Sequence, residues 1–248
     1  MIRSVFVFLL LVLLKVVSSV FFRVRMRFTG DVPRHPWRHL RVVALLNHTS
    51  LYEPVFAAGV PLEFLWRLAR HGVVPAASKT IERPLVGLLF RFVARHVVSI
   101  SRERDHTWAA VLQRIEPDSM VVILPEGRMK RATGLDLQGN PMTVRGGIAD
   151  ILEVVPEGRM LIAYSGGLHH VQVPGQHLPR PFQPVGMLIE VVDIADYRRT
   201  LREDAHGEDG AAFKRAVIAD LERRRDLYCP QAAGLAQATR LRPPDLAA

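Results

Sequence analysis

The sequence predicts an α/β protein with a mostly parallel sheet flanked by helices, preceded by an N-terminal hydrophobic helix. Three observations predict it. Short, nearly unbroken apolar runs recur at 40–46, 73–79, 97–101, 120–124, 160–164 and 184–192, as expected of strands covered on both faces. Segments with helical spacing or helix-length gaps lie between most of them. Four successive runs end in polar groups, at His48, Lys79, Arg102 and Glu126, and the crevice beyond strand carboxyl ends is where open α/β sheets bind ligands. A length of 248 residues fits one domain or at most two small ones.

The N-terminal helix comes first. Residues 5–14 are uninterrupted apolar, and after Lys15 the pattern resumes through Val16, Val17, Val20, Phe21 and Phe22, about 20 residues in all and just long enough to cross a bilayer. No small-x-small cleavage site follows, and Arg23, Arg25 and Arg27 come directly after. Residues 1–24 therefore read as an uncleaved membrane anchor with the rest of the chain on the cytoplasmic side. Lys15 sits too deep for an upright span, leaving a tilted spanning helix, which is preferred, or one lying in the interface with Lys15 at the head groups.

An α/β domain follows over 25–228. Residues 26–37 give a short strand and a turn at Gly30-Asp31-Val32-Pro33. After the strand 40–46, a bent loop leads to a helix from about Pro54 to near Gly59, a short element at 63–70 and the strand 73–79. An amphipathic helix is expected at 84–94, with Leu85, Leu88, Leu89 and Phe92 on one face. The strand 97–101, a helix at 106–115, the strand 120–124 and a helix from 148 come next, then the last two strands. A helix at 211–227 follows the acidic loop 203–210, and the tail 229–248, rich in Ala, Gln and Pro, is expected to be loosely ordered.

Composition narrows the partners. The chain is 49% hydrophobic with a formal charge of +9, a pI of 10.5 and a mean hydropathy of +0.12. Such a charge attracts phospholipid head groups and phosphorylated substrates. Nucleic acid is not expected as a partner, since no base-reading motif or aromatic-interleaved basic stripe occurs. The lone Cys229 excludes an internal disulfide framework and a cysteine metal cluster. His169, His170 and His177 do not make a metal site, because adjacent histidines on a strand point to opposite faces and no suitably spaced acid accompanies them.

The chemistry centres on Asn47-His48-Thr49-Ser50-Leu51-Tyr52-Glu53-Pro54. A histidine moves protons near neutral pH, and a carboxylate holds its tautomer and supports the imidazolium. On one continuous helix His48 and Glu53 would lie about 140° apart, and Pro54 biases Glu53 away from helical backbone. A bent loop must therefore bring the two together. Arg102 is suited to grip a phosphate, with Lys79 and Arg128 as companions. Gly127, beside Glu126, lets backbone approach a ligand. The pentapeptide Pro125-Glu126-Gly127-Arg128-Met129 is repeated at 156–160, but there it precedes a strand instead of following one, so the second copy is read as a turn at the opposite sheet edge.

Taken together, these segments resemble the glycerolipid acyltransferase family. His48 through Glu53 is similar to its HX4D motif, with Glu53 where the family has Asp. Ala77-Ser78-Lys79-Thr80 looks like the segment leading into its second block. Ser99-Ile100-Ser101-Arg102 resembles that block, with Ser101 in place of an acid. Leu124-Pro125-Glu126-Gly127-Arg128 resembles the Phe-Pro-Glu-Gly-Thr-Arg block, and Val144-Arg145-Gly146-Gly147 the basic-glycine stretch after it. The resemblance spans residues 28–192. It implies an O-acyltransferase that moves an acyl chain from acyl-CoA or acyl carrier protein to a lysophospholipid, above all 1-acylglycerol-3-phosphate, in phospholipid synthesis. His48 and Glu53 would be catalytic, while Arg102, Glu126, Gly127, Arg128 and Lys79 would bind substrate, and no bound cofactor would be needed. The alternatives are an O-acyltransferase for another lipid acceptor and a catalytically silent membrane lipid-binding protein on the same fold.

Overall fold

The computed structural model describes residues 2–77, 96–100, 106–173, 176, 178–204 and 210–240. Among them, seven strands form one sheet in the order β1-β7-β6-β2-β5-β3-β4. The strands are β1 (Arg23–Phe28), β2 (Leu40–Leu46), β3 (Gly72–Ala77), β4 (His96–Ile100), β5 (Met120–Ile123), β6 (Arg159–Gly166) and β7 (Pro184–Asp193). β2 pairs in parallel with β5 and β6, and β3 in parallel with β4 and β5. β7 runs antiparallel to β6, and β1 runs parallel to β7. The mixed but mostly parallel sheet matches the expected fold class, and β2 occupies the residues the sequence assigned to it.

Helices cover both faces. On one lie α1 (Ile2–Phe21), a 3-10 helix (Glu53–Ala58) and α2 (Leu62–His71); on the other lie α3 (His106–Gln113), α4 (Gly147–Val154), α6 (Ile194–Asp204) and α7 (Gly210–Arg240). The pleat of β2 shows why its run is apolar throughout. Val42, Ala44 and Leu46 join the core under α4 and α7, whereas Leu40 and Val43 join the core under α1 and α2. Each fully buried aliphatic side chain contributes about 1.5–3 kcal/mol relative to exposure. The helix expected at 84–94 lies outside the described residues.

Two expectations need correction. Residues 229–240 are not loosely ordered, because α7 continues through Pro230 to Arg240; residues 241–248 lie outside the described residues. An interior proline costs an unsupported helix about 3 kcal/mol. Here Cys229, Ala232 and Ala236, spaced three and four apart, are buried against the sheet. A Cβ on Gly166 would lie 2.2 Å from Ala233 N, and one on Gly186 2.1 Å from Ala232 O. The two glycines let helix backbone rest directly on β6 and β7, and this packing carries the helix past the proline. Second, His169 and His170 lie on a short helix, α5 (Leu168–Val171), not on a strand, because Gly167 leaves β6 with a left-handed φ of 86°. The helix expected from about Pro54 to near Gly59 is present, as a 3-10 helix over Glu53–Ala58. Only six residues separate Tyr52 from Gly59, with Pro54 near the start and Pro61 soon after, which suits a short tight turn.

α1 is long and apolar enough to associate with a membrane. It packs lengthwise on the domain through Val7, Leu11 and Ser18 and leaves Leu9, Leu13, Val16 and Val20 exposed on its other side. The Lys15 ammonium donates to the carbonyl oxygens of Ala58 (2.6 Å), Val60 (2.8 Å) and Ala57 (3.4 Å). Because β7 and β1 run opposite to β6, their amino ends lie at the carboxyl edge of the parallel strands. The last turn of α1, directly before β1, lies there too.

Candidate active site

The site is built from the turn that follows β2. Asn47 leaves the strand with a left-handed φ of 66°, a conformation Asn tolerates better than most residues. Its side-chain amide donates to Ser165 O at 2.8 Å. The Ser165 hydroxyl donates to Asn47 O at 2.9 Å. The backbone N–H groups of Asn47 and His48 donate to the two carboxylate oxygens of Glu126, at 3.3 and 2.8 Å. Lys130 N–H donates to His48 O at 2.7 Å. The histidine backbone is thus fixed by the turn after β5, and the preceding Asn47 by the end of β6, before the ring makes any contact.

The chain then bends back. Tyr52 N–H donates to the buried Ser50 hydroxyl at 3.2 Å, and that hydroxyl meets Gln172 Oε1 at 3.2 Å. The bend brings Glu53 Oε1 to 2.6 Å from His48 Nδ1, the contact the spacing required. Both side chains are mostly buried. Burial lowers the imidazole pKa, but the charge and hydrogen bond of Glu53, with the charge of Glu126, outweigh it and raise the pKa above its ordinary value. With Nδ1 committed to Glu53, Nε2 is left to act as a base.

The resemblance made Glu126 a substrate contact; in the structure its side chain is 1% exposed and both carboxylate oxygens face protein donors. It positions the His48 turn, with Arg225 of α7 3.5 Å away. Gly127 is exposed with a left-handed φ of 61° and borders the cavity described below. Arg128 also borders the cavity, but its guanidinium is paired with the buried Asp136. Burial opposes the Asp136 charge, but backbone N–H groups of Asn140 and Gln138, together with Arg128, prevail and bring its pKa down to about 2. Lys79, Ser101 and Arg102 lie outside the described residues. β3 is parallel to both β4 and β5, so β3 and β4 end at the same sheet edge as the His48 turn.

His48 and Glu53 face a cavity of about 1390 Å³. Its walls are mostly apolar: Leu11, Leu14, Val17 and Phe21 from α1, Phe64, Leu65 and Leu68 from α2, and Met187 and Ile189 from β7. Its polar part includes Arg128, Arg145 and Lys214. Arg145 Nε donates to Glu126 O at 3.3 Å, and Lys214 is 2.5 Å from Asp150. Burial, reinforced by Glu126, pushes the Cys229 thiol up to about 12, so it is a poor nucleophile. Ser165, Gln172 and Arg225 are site-building residues that the sequence gave no reason to select. Asn47 carried a local signal, an asparagine directly after a strand and before the histidine.

The fold has a counterpart among solved structures. No protein of curated function matches the sequence. In fold, the chain is similar to the crystal structure of the 1-acyl-sn-glycerophosphate (LPA) acyltransferase PlsC from Thermotoga maritima, with a TM-score of 0.53 and 16% sequence identity over 88% of this chain and 79% of that one. The family model for Acyltransferase matches residues 23–172, which hold β1, the His48 turn and the Glu126 turn and make up more than half of the sequence. The chain belongs to the Acyltransferase family.

Proposed function

We propose that the protein is a membrane-associated O-acyltransferase that moves an acyl chain from an acyl thioester to the free hydroxyl of a lysophospholipid, most specifically 1-acylglycerol-3-phosphate. The observation that carries this reading is the 2.6 Å His48–Glu53 pair facing a large apolar cavity. The cavity suits hydrocarbon, and the pair suits proton abstraction from a hydroxyl. His48 Nε2 takes the acceptor's hydroxyl proton while its oxygen attacks the thioester carbonyl. The tetrahedral intermediate collapses with cleavage of the C–S bond, and the thiolate takes the proton back from His48. The acyl chain passes directly from donor to acceptor, with no acyl-enzyme. Glu53 holds the ring and balances its charge in between.

The acceptor phosphate is assigned to the basic side of the cavity, to Arg145, Arg128 and Lys214, with Arg102 and Lys79 kept as candidates from the sequence. Coenzyme A or acyl carrier protein supplies the thioester. α1 lies in the membrane interface instead of crossing it. A helix standing away from the domain would break the three Lys15 bonds and expose Val7 and Leu11, whereas the present packing turns Leu9, Leu13, Val16 and Val20 outward together. The domain is placed on the cytoplasmic side, whose anionic leaflet would attract a chain of net charge +9.

The test is transfer of a labelled acyl group from acyl-CoA and from acyl carrier protein to a panel of acceptors that includes 1-acylglycerol-3-phosphate, glycerol 3-phosphate and lysophospholipids with larger head groups. The first acceptor should be preferred. His48→Ala should lower the rate by about 10²–10⁴-fold while leaving vesicle binding intact. A rate within tenfold of wild type would overturn the assignment of the base.

A further inference from the structure

Lys15 is the one charged residue inside α1 after its first turn, and the acyl-transfer reading gives it no role. An ammonium on an otherwise apolar helix is costly unless its protons are paired. Here its three donors meet three carbonyl oxygens, those of Ala57, Ala58 and Val60. Val7 and Leu11 also bury against the domain, so the three bonds of Lys15 are not the whole of the docking contact. What the charge meets is specific: the carboxyl end of the Glu53–Ala58 3-10 helix and the residues just after it.

We propose that Lys15 is a positioning residue of the active site, capping the Glu53–Ala58 3-10 helix from α1 so that Glu53 stays against His48. Carbonyl oxygens at a helix carboxyl end favour a nearby cation. A single 3-10 turn has poor hydrogen-bond geometry and little stability of its own. This one has internal bonds from Val55 N–H to Tyr52 O (2.9 Å) and from Gly59 N–H to Phe56 O (3.0 Å). Six residues at about 2.0 Å rise place its two ends about 12 Å apart. Glu53 stands at one end and Lys15 grips the other. The helix is therefore a short strut between α1 and the catalytic pair. The outer side of α1 is the side proposed to meet lipid, so one helix would link membrane seating to the geometry of the base. The inference rests on the proposed roles of His48 and Glu53.

The titration of the His48 ring tests it. Among the described residues, the charged side chains acting on that ring are Glu53 from the 3-10 helix and Glu126 from the turn after β5. In the full-length protein in detergent micelles, the ring resonances of labelled histidine are followed against pH, with His48→Ala identifying the signal. In Lys15→Met the midpoint should fall by about half a pH unit or more, toward that of Glu53→Gln, as the carboxylate loses its position. Lys15→Gln should fall in between. Val7→Ala, which loosens α1 packing without touching the ammonium, should titrate like wild type. In turnover, Lys15→Met should lose about tenfold in kcat with KM within about twofold, the sign of an interaction expressed in the transition state. A wild-type midpoint in Lys15→Met, or an equal fall in Val7→Ala, would overturn the proposal. If His48→Ala keeps its activity, the acyl-transfer mechanism fails instead, and the titration still judges Lys15 separately.

Discussion

The same five residues, Pro-Glu-Gly-Arg-Met, occur at 125–129 and again at 156–160, and the fold gives the two copies opposite fates. Both turn at a glycine with left-handed backbone, φ 61° at Gly127 and 98° at Gly158. In the first copy the turn leaves β5 at the carboxyl edge of the parallel strands, and Glu126 is buried under the His48 turn. In the second it feeds β6 at the opposite edge, Glu157 is exposed, and Arg159 reaches His35 O at 2.7 Å. The pentapeptide encodes a turn. Whether that turn carries function depends on whether a parallel strand has just ended or is about to begin, which is a property of topology and not of local sequence.

The largest expected difference between the copies lies at their glutamates. Glu126→Ala strips the partner from two backbone N–H groups in a mostly buried site, at about 1–3 kcal/mol each. It should lower stability by about 2–5 kcal/mol in urea unfolding, and the rate by about 10²-fold or more as the His48 turn relaxes. Glu157→Ala should stay within about 0.5 kcal/mol of wild type with unchanged kinetics. If Glu126→Ala is too unstable to assay, Glu126→Gln, which keeps one acceptor oxygen, serves in its place. Equal, small effects at both positions would mean that Glu126 does not hold the turn.

How much of this was legible in the sequence follows the same division. Strands such as β2 could be read almost residue by residue, because burial on both faces leaves an unbroken apolar run. The His48–Glu53 pair could be read from spacing and Pro54, since the two are five residues apart. Glu126 could be picked out, but its role could not be read. Its partners Asn47 and His48 lie 79 and 78 residues away in sequence, and no local pattern distinguishes a carboxylate that binds substrate from one that binds backbone. For Lys15 the sequence offered head groups as one possible partner, and its carbonyl partners, 42–45 residues further on, could not be read from it. The end of α7 was missed for a related reason. Pro230 is a local stop signal, and what overrides it is the pair of glycines on β6 and β7 beneath Ala232 and Ala233.

The glycines of the two copies should separate stability from activity. An L-residue in left-handed backbone costs about 1–2 kcal/mol at either position. At Gly158 a Cβ would also lie 2.4 Å from Arg41 Cγ and 3.1 Å from His39 O, and Arg41 holds the carbonyls of Ser119 and Glu116. At Gly127 the Cβ would meet only the flexible Arg145 side chain, at 3.1 Å from Cδ. Gly158→Ala should therefore be the more destabilised in thermal or urea unfolding, by about 2–3 kcal/mol, with kinetics unchanged once folded. Gly127→Ala should lose less stability but raise KM for the phosphate-bearing acceptor as Arg145 is displaced. The reverse order in either measurement would mean that the two turns are not specialised in this way.

The smallest expected effect is electrostatic and is read in the pH–rate profile. Burial alone would lower the His48 pKa, and the charges of Glu53 and Glu126 raise it above the ordinary value. A general base works in its neutral form, so kcat/KM should rise with pH through this raised pKa. Removing either charge lets burial act with less opposition, and the acid limb should move to lower pH. The shift should be larger for Glu53→Gln, which loses both charge and hydrogen bond, than for Glu126→Gln, which loses charge at greater reach, and absent for Glu157→Gln. Linkage supplies an independent check. A histidine whose folded pKa is raised contributes stability that is fully present below its unfolded pKa, near 6.5, and is lost as pH rises through the folded value. The stability advantage of wild type over Glu53→Gln from this source should therefore shrink as pH rises across that window. An acid limb that stays in place in Glu53→Gln would mean that His48 is not the group whose deprotonation the rate reports.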